Sequence, residues 1–226
     1  MLSFDIKKEI SEVLFSRDIW MLIVGGLQTT IIIFVFAALL AILLGAGLSY
    51  LKINNKWPWL YRPLELFVST VHEVPAITFM MFFYYIIFSG EMSNGVLVSI
   101  IALGIYSSGS LEDIFSVHVC QVDKGQIEAG LSLGLTKRQC YQHIVVPQAV
   151  KSMLPLFAGE MRGLLQATSY AGYIAQKDLM KVVDIIREQY NDTFLPLIIV
   201  SILYLILSYI ITALVSLIHT KMFNYD

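Results

Sequence analysis

Three short stretches place acids, bases and hydroxyls inside otherwise apolar runs: His72-Glu73-Val74-Pro75, the segment from Ser107 to Asp113, and the segment from Glu160 to Ser169. A central charge in a spanning helix costs about 2.5–3.5 kcal/mol on insertion scales, so such groups are functional candidates by default. The set is His72, Glu73, Ser107, Asp113, Glu160, Arg162, Gln166 and Ser169, with Ser108, Ser110, Glu112 and Thr168 beside them. Their chemistry suits holding a polar solute through hydrogen bonds and ion pairs. No paired nucleophile and base and no metal-ligand spacing stands out, which disfavours an enzyme. Arg162, Gln166 and Ser169 are spaced i, i+4, i+7 and would share a helix face, with Glu160 about 200° away from Arg162. Plainer roles compete: Glu160 and Arg162 as packing residues satisfied within a bundle, Asp113 as a solvated acid near a helix end, and His118 and His143 as interfacial residues.

The elements that must carry these groups are membrane helices. Of the 226 residues 57% are hydrophobic and 14% charged, where soluble domains carry roughly 25% charge. The mean hydropathy is +0.73. Five segments are long enough to span: about Ile19–Leu51, Leu60–Phe88, Gly95–Val119, Val145–Ile174 and Thr193–His219. Their length and lack of alternation exclude barrel strands. Pro75 should break the second, and Pro155, Glu160 and Arg162 interrupt the fourth. The expected fold is all-α, a single polytopic membrane domain over residues 1–226. The first apolar run is too long for a signal peptide. The net charge of −2 gives no sign of nucleic-acid binding.

Lys and Arg are distributed eight to six between the two sets of loops, a small bias that places the loop after the third span in the cytoplasm. Cys120 and Cys140 then share one side and read as free thiols. Trp20, Trp57, Trp59 and Tyr61 fall near span ends, where aromatic anchors sit. Outside, Leu179, Val182, Val183 and Ile186 recur at i, i+3, i+4, i+7, with Asp178, Lys181, Asp184, Arg187 and Glu188 filling the other face. This is an amphipathic surface helix that would pack on the bundle rim or receive a partner. The N-terminal SFDIKKEISEVLF is also helix-compatible and suits the outer interface.

Between the third and fourth spans lies GQIEAGLSLGLTKRQCYQHIVVPQA. Asp123 with Gln126, and Thr136 with Gln139, are helix-start signals, and Gly134 suits the position just past a helix end. Two short helices over about 123–145 follow, with Pro147 entering the next span. The small residues Ala129 and Gly130 would let the first helix seat in another protein's groove; a hairpin packed on its own bundle is the plainer alternative.

Glu128-Ala129-Gly130, then Gly134-Leu135, then Ile144-Val145-Val146-Pro147 resembles the EAA signature of permease subunits of ATP-binding-cassette importers. That pattern runs E-A-A, three residues, G, nine residues, I-x-L-P; here Gly replaces the third residue and Val replaces Leu. Gly25-Gly26-Leu27-Gln28-Thr29-Thr30, Lys124 to Ala129, Leu154-Pro155 and Tyr204 to Ser208 are similar to other segments of the polar amino acid permeases. The resemblance implies a five-span subunit of a type I importer in the bacterial cytoplasmic membrane, moving a polar amino acid or related small solute by alternating access. It implies coupling through Glu128, Ala129, Gly130, Gly134, Leu135 and Pro147 to two ATPase subunits, a second permease that is itself or a sister chain, and an extracytoplasmic solute-binding protein. No G-x-x-x-x-G-K-[ST] loop occurs in the chain, so ATP and magnesium would belong to the partner ATPase and this chain would need no cofactor. In that family the stretch around Pro75 usually reads R-G-T-P and the fourth helix K-D-T-S. Here these read His-Glu-Val-Pro and Gln166-Ala167-Thr168-Ser169, which removes two cations, adds an acid at Glu73 and removes one at Ala167. These departures also fit a different class, a membrane scaffold or sensor that keeps the ATPase dock without a working pore.

Overall fold

The computed structural model describes residues 17–54, 57–88, 94–174, 176–190 and 194–223; the N-terminal amphipathic segment lies outside them. All regular structure among the described residues is helical. The helices are α1 (Arg17–Asn54), α2 (Pro58–His72), α3 (Ala76–Phe82), α4 (Gly95–Cys120), α5 (Lys124–Ser132), α6 (Lys137–Cys140), α7 (Val146–Ala167), α8 (Leu179–Tyr190) and α9 (Phe194–Phe223). Within these, Asp18–Asn54, Gly95–Cys120 and Phe194–Lys221 are long and apolar enough to cross a membrane. The bent pair Pro58–His72 and Ala76–Ile87 adds a fourth if it is taken as one span.

Local chemistry explains where the elements stop. Proline disfavours the helical conformation of the residue before it, so α2 ends at His72 and α3 restarts after Pro75. A wide π-type turn, Phe83–Ile87, follows α3. Pro155 behaves differently from expectation: α7 runs through it without a break. Membrane helices absorb an internal proline when neighbouring groups satisfy the freed carbonyl. The α-helix of the fourth predicted span ends at Ala167, and Thr168–Ile174 is a 3-10 stretch. At three residues per turn the helical spacing of Arg162, Gln166 and Ser169 does not carry through to Ser169.

The chain divides into two compact units, and the long helices contribute residues to both. The first comprises residues up to Ala37, Pro75–Leu103 and Leu164–Tyr209. Its core joins Ile19 and Ile23 of α1, Val200 of α9, and the α8 stripe Leu179, Val182, Val183 and Ile186, all 0–3% exposed. The expected amphipathic helix is therefore packed along its apolar stripe, each such side chain contributing about 1.5–3 kcal/mol by burial. Its polar face carries Asp184 between Lys181 (3.5 Å) and Arg187 (3.3 Å). Asp178 is not on that face: it is fully buried, and its carboxylate accepts from the Met180 and Lys181 N–H groups to cap α8.

The second unit comprises Ala38–Val74, Gly104–Gly163 and Ile210 onward. Small residues set its packing. A Cβ on Gly45 would lie 2.8 Å from Leu111 Cβ, and one on Gly109 would lie 2.6 Å from both His72 Cδ2 and Val68 Cγ1. Glycine thus lets α1 and α2 each close on α4, as small residues do between membrane helices. Of the expected interface aromatics, Trp20, Trp57 and Trp59 are exposed but Tyr61 is buried. His118 is also buried, its Nδ1 2.7 Å from the Ile114 carbonyl, so it is held by its own helix and not interfacial; His143 is exposed.

Candidate functional site

The second unit holds two features that use the sequence candidates. The first is a cavity of about 210 Å³ walled by α2 and α4. Tyr61, Glu65, Ser69 and His72 stand on α2 at helical spacing, roughly one turn apart, and line it in a row; Glu73 follows at the helix end. Gly109, Glu112 and Asp113 close the α4 side. The absence of a side chain at Gly109 leaves room for the His72 ring, which stacks on Tyr106 at 4.6 Å. The His72 Nε2 accepts from the Ser110 N–H at 3.2 Å, with the Ser110 hydroxyl at 3.3 Å. An imidazole nitrogen that accepts carries no proton, so the ring contributes no second N–H on that side.

Charge at this site is lopsided. Lys52, in the last turn of α1, lies 2.9 Å from Glu112 Oε1, 3.4 Å from Glu65 and 3.5 Å from Asp113. Three carboxylates thus share one ammonium, and Glu73 stands at the rim, exposed. The close Lys52–Glu112 ion pair neutralises the buried Oε1 of Glu112. The Tyr61 hydroxyl is buried beside the Glu65 carboxylate.

Of the substrate-pathway candidates, His72, Glu73 and Asp113 come together at this cavity. Ser107 is buried on α4 and does not line it. Glu160 and Arg162 stand apart on α7, where Arg162 Nη1 donates to Thr212 Oγ1 of α9 at 2.9 Å. Gln166 and Ser169 belong to the other unit; Ser169 donates to the Gln166 carbonyl and borders a shallow pocket with Tyr173 and Lys181. Lys52, Tyr61 and Glu65 are the participants that residue type alone did not single out. Their signal was present as ionisable and hydroxyl groups at 61, 65, 69 and 72 on one helical face.

The second feature is the hairpin after α4. Asp123 caps α5 by accepting from the Gly125 N–H at 2.8 Å. The expected reciprocal bond from Gln126 is not made; its side-chain oxygen instead accepts from Gln148 at 2.6 Å. Helix α5 closes with Leu135 N–H donating to the Gly130 carbonyl and Gly134 N–H to that of Leu131, a Schellman end, with Gly134 at φ +87°. Thr136 and Gln139 form the expected capping box of α6. No second break follows: α6 passes through a π-type turn, Tyr141–Val145, directly into α7, so Pro147 lies in the first turn of that span. Gly130 faces inward: a Cβ there would stand 2.9 Å from Cys140 Sγ and from Ile144 Cδ1. Its small size serves the fit between the hairpin's own arms. Glu128, Ala129 and Leu133 face outward, as do the basic Lys124, Lys137 and Arg138, and Leu133 is 84% exposed.

The described residues form a helical membrane protein with a capped hairpin after α4. A family model for the inner membrane component of binding-protein-dependent transport systems matches residues 37–224, and the chain belongs to that family. It is 30% identical to the probable amino-acid permease protein YxeN of Bacillus subtilis, over 88% of this chain and 91% of that one. The arginine transport system permease protein ArtQ of Bacillus subtilis is 25% identical over 90% of this chain and 94% of its own length. In fold it is similar to an amino acid ABC transporter crystallised with histidines, with TM-score 0.81, 24% identity, and 94% and 97% of the two chains covered. The methionine transporter MetNI in an inward-facing form gives TM-score 0.76 at 18% identity, over 92% of this chain and 99% of that one. The chain is thus the membrane permease of an ABC importer, a subunit that is not itself the catalyst.

Proposed function

We propose that this permease spans the bacterial cytoplasmic membrane five times as one domain, with α7 and its 3-10 extension as the fourth span, and imports polar amino acids or related small solutes. The names of the relatives at 25–30% identity support the solute class. Two permease chains would pair, each with one ATPase below and a shared solute-binding protein above. ATP and magnesium reside in the ATPase. Closure of the motor pushes on the hairpin and rocks the helices between inward-open and outward-open states.

The observation that carries this reading is the hairpin's construction. Its interior is pinned by Gly130 against Cys140 and Ile144, and its ends by a Schellman motif and a capping box. Glu128, Ala129 and Leu133 remain exposed, with nothing among the described residues covering them. A rigid body with an exposed outer face transmits force to whatever grips it. Because Gly130 faces inward, its substitution tests the hairpin's integrity and not the docking surface. The docking test is Ala129→Arg in the reconstituted complex. Solute-stimulated ATPase activity and uptake should fall together, on the order of thirtyfold as for an interface hot spot, while the permease keeps its thermal stability. Undiminished uptake with a stable permease would rule out coupling through this face.

A further inference from the structure

Helix α4 ends at Cys120 and α5 of the hairpin begins at Lys124, with Asp123 already capping α5. A push on the hairpin therefore reaches α4 through Gln121, Val122 and Asp123 alone. On the returning side α6 continues through Tyr141–Val145 directly into α7, and Gln148 of α7 donates to Gln126 of α5 at 2.6 Å. Helices α1 and α2 have no such covalent route. Here α1 ends at Asn54 and α2 begins at Pro58, far from the hairpin in sequence. Whatever moves this corner with α4 must pass between side chains. Most of what α1 offers α4 is apolar and small: a Cβ on Gly104 would lie 2.7 Å from Leu40 Cδ2, and one on Gly45 would lie 2.8 Å from Leu111 Cβ. Apolar contact is non-directional, and packed helices can slide along it.

Lys52 is the exception. Among the described residues it is the one polar side chain of α1 bonded to α2 or α4, and every ion pair joining these three helices runs through its ammonium. It holds Glu112 at 2.9 Å and Asp113 at 3.5 Å on α4, and Glu65 at 3.4 Å on α2. Glu112 is 6% exposed, so the shortest of these pairs is shielded from the solvent and salt that weaken surface pairs. Without Lys52 three carboxylates would stand together with no counter-charge, and their repulsion would spread the helices that carry them. From this we infer that Lys52 is a positioning residue: it pins the corner between α1 and α2 to α4, so that a displacement entering at the hairpin carries α1 and α2 along. This deepens the coupling role proposed above for the hairpin and rests on it. In this role Lys52 touches neither solute nor nucleotide. Its loss should uncouple hydrolysis from transport without stopping hydrolysis.

The test uses the complete importer in proteoliposomes and compares Lys52→Arg, Lys52→Met, and Lys52→Met combined with Glu112→Gln. Removing one partner of a buried pair leaves an uncompensated charge that can itself unfold the site. The double variant removes that charge too and isolates loss of the pin. Solute imported per ATP hydrolysed should fall about tenfold in the two variants without the ammonium, within the usual range of coupling between sites, and Lys52→Arg should keep most of it. The double variant should keep its rate of ATP hydrolysis and its thermal midpoint; a merely structural role would lower both along with uptake. Hydrogen–deuterium exchange reads the transmission directly. In the unsubstituted complex, trapping nucleotide with vanadate should change exchange at the ends of α4 and α1 alike. In the double variant the α4 response should remain and the α1 response vanish. An α1 response that persists without Lys52, a normal yield of solute per ATP in the double variant, or failure of Lys52→Arg as complete as that of Lys52→Met overturns the pin and leaves the hairpin's role intact. No nucleotide response at α4 in the unsubstituted complex would instead remove the hairpin's role, and the pin with it.

Discussion

A glycine in a short signature invites the thought that a partner needs the space, and Gly130 is a case where the chain itself needs it. Its neighbours at 2.9 Å are Cys140 and Ile144 of the returning arm. The sequence made the smallness of this position legible but not its direction, because a helix of nine residues with small side chains has no marked apolar face from which to assign one. The reverse error occurred at Tyr61: its place near a span end reads as an interface anchor, whereas it is buried on the face shared with Glu65 and His72. Gly134 was legible throughout, since a left-handed residue past a helix end calls for glycine. These positions give one prediction. Gly130→Val should destabilise the complex by about 1–3 kcal/mol through overpacking, and Cys140→Ala in the same chain should restore part of that loss. Gly134→Val should cost about 1–2 kcal/mol for its φ of +87° and gain nothing from Cys140→Ala. Thermal unfolding of the four variants distinguishes a packing constraint from a backbone one; equal rescue of both would show the two causes misassigned.

At the scale of elements, periodicity was informative where one face is buried and the other wet. The α8 stripe at 179, 182, 183 and 186 is packed as its spacing predicts. It was least informative where helix type changes, as at Thr168–Ile174, because residue types do not announce a switch from 3.6 to three residues per turn. Asp178 shows a further limit: an acid at a helix start can cap from outside or from within the core. Here burial is complete, and it pushes the carboxyl pKa up from 3.8 to about 6, against the lowering effect of the N–H groups it accepts from. For an acid whose folded value is raised, the native state holds the extra proton between those two values. Its stability is therefore highest below about pH 4, falls as pH rises to about 6, and is level beyond. The full cost of ionisation is on the order of 3 kcal/mol. Asp178→Asn keeps one cap acceptor and removes the charge. The difference in thermal midpoint between the variant and the unsubstituted complex should be smallest near pH 4 and grow in the variant's favour through pH 6. A difference independent of pH would mean that Asp178 is not ionising within its buried cap.

On the scale of the whole molecule, composition and span length were enough for an all-α membrane chain, and the long spaced motif led to the family that the match over residues 37–224 established. The number and direction of crossings is a separate matter. Among the described residues three helices and one bent pair are long and apolar enough to span, while α7 carries Lys151, Glu160, Arg162 and two prolines. Such groups are compatible with a span when they face other helices, as Arg162 does toward Thr212. If α7 and its 3-10 extension do cross, then Leu133 in the hairpin and Tyr173 at the far end of that extension, both exposed, lie on opposite sides. Labelling settles this. In a chain with Cys120→Ser, leaving the buried Cys140 in place, Leu133→Cys should react with a membrane-impermeant maleimide only in inside-out vesicles, and Tyr173→Cys only in right-side-out ones. Reaction of both from the same side would remove α7 from the membrane and leave the hairpin facing no cytoplasmic motor. The opposite pattern, each labelled from the other side, would keep five spans but reverse the chain. That would overturn the assignment drawn from the small Lys and Arg bias, and with it the direction in which force enters.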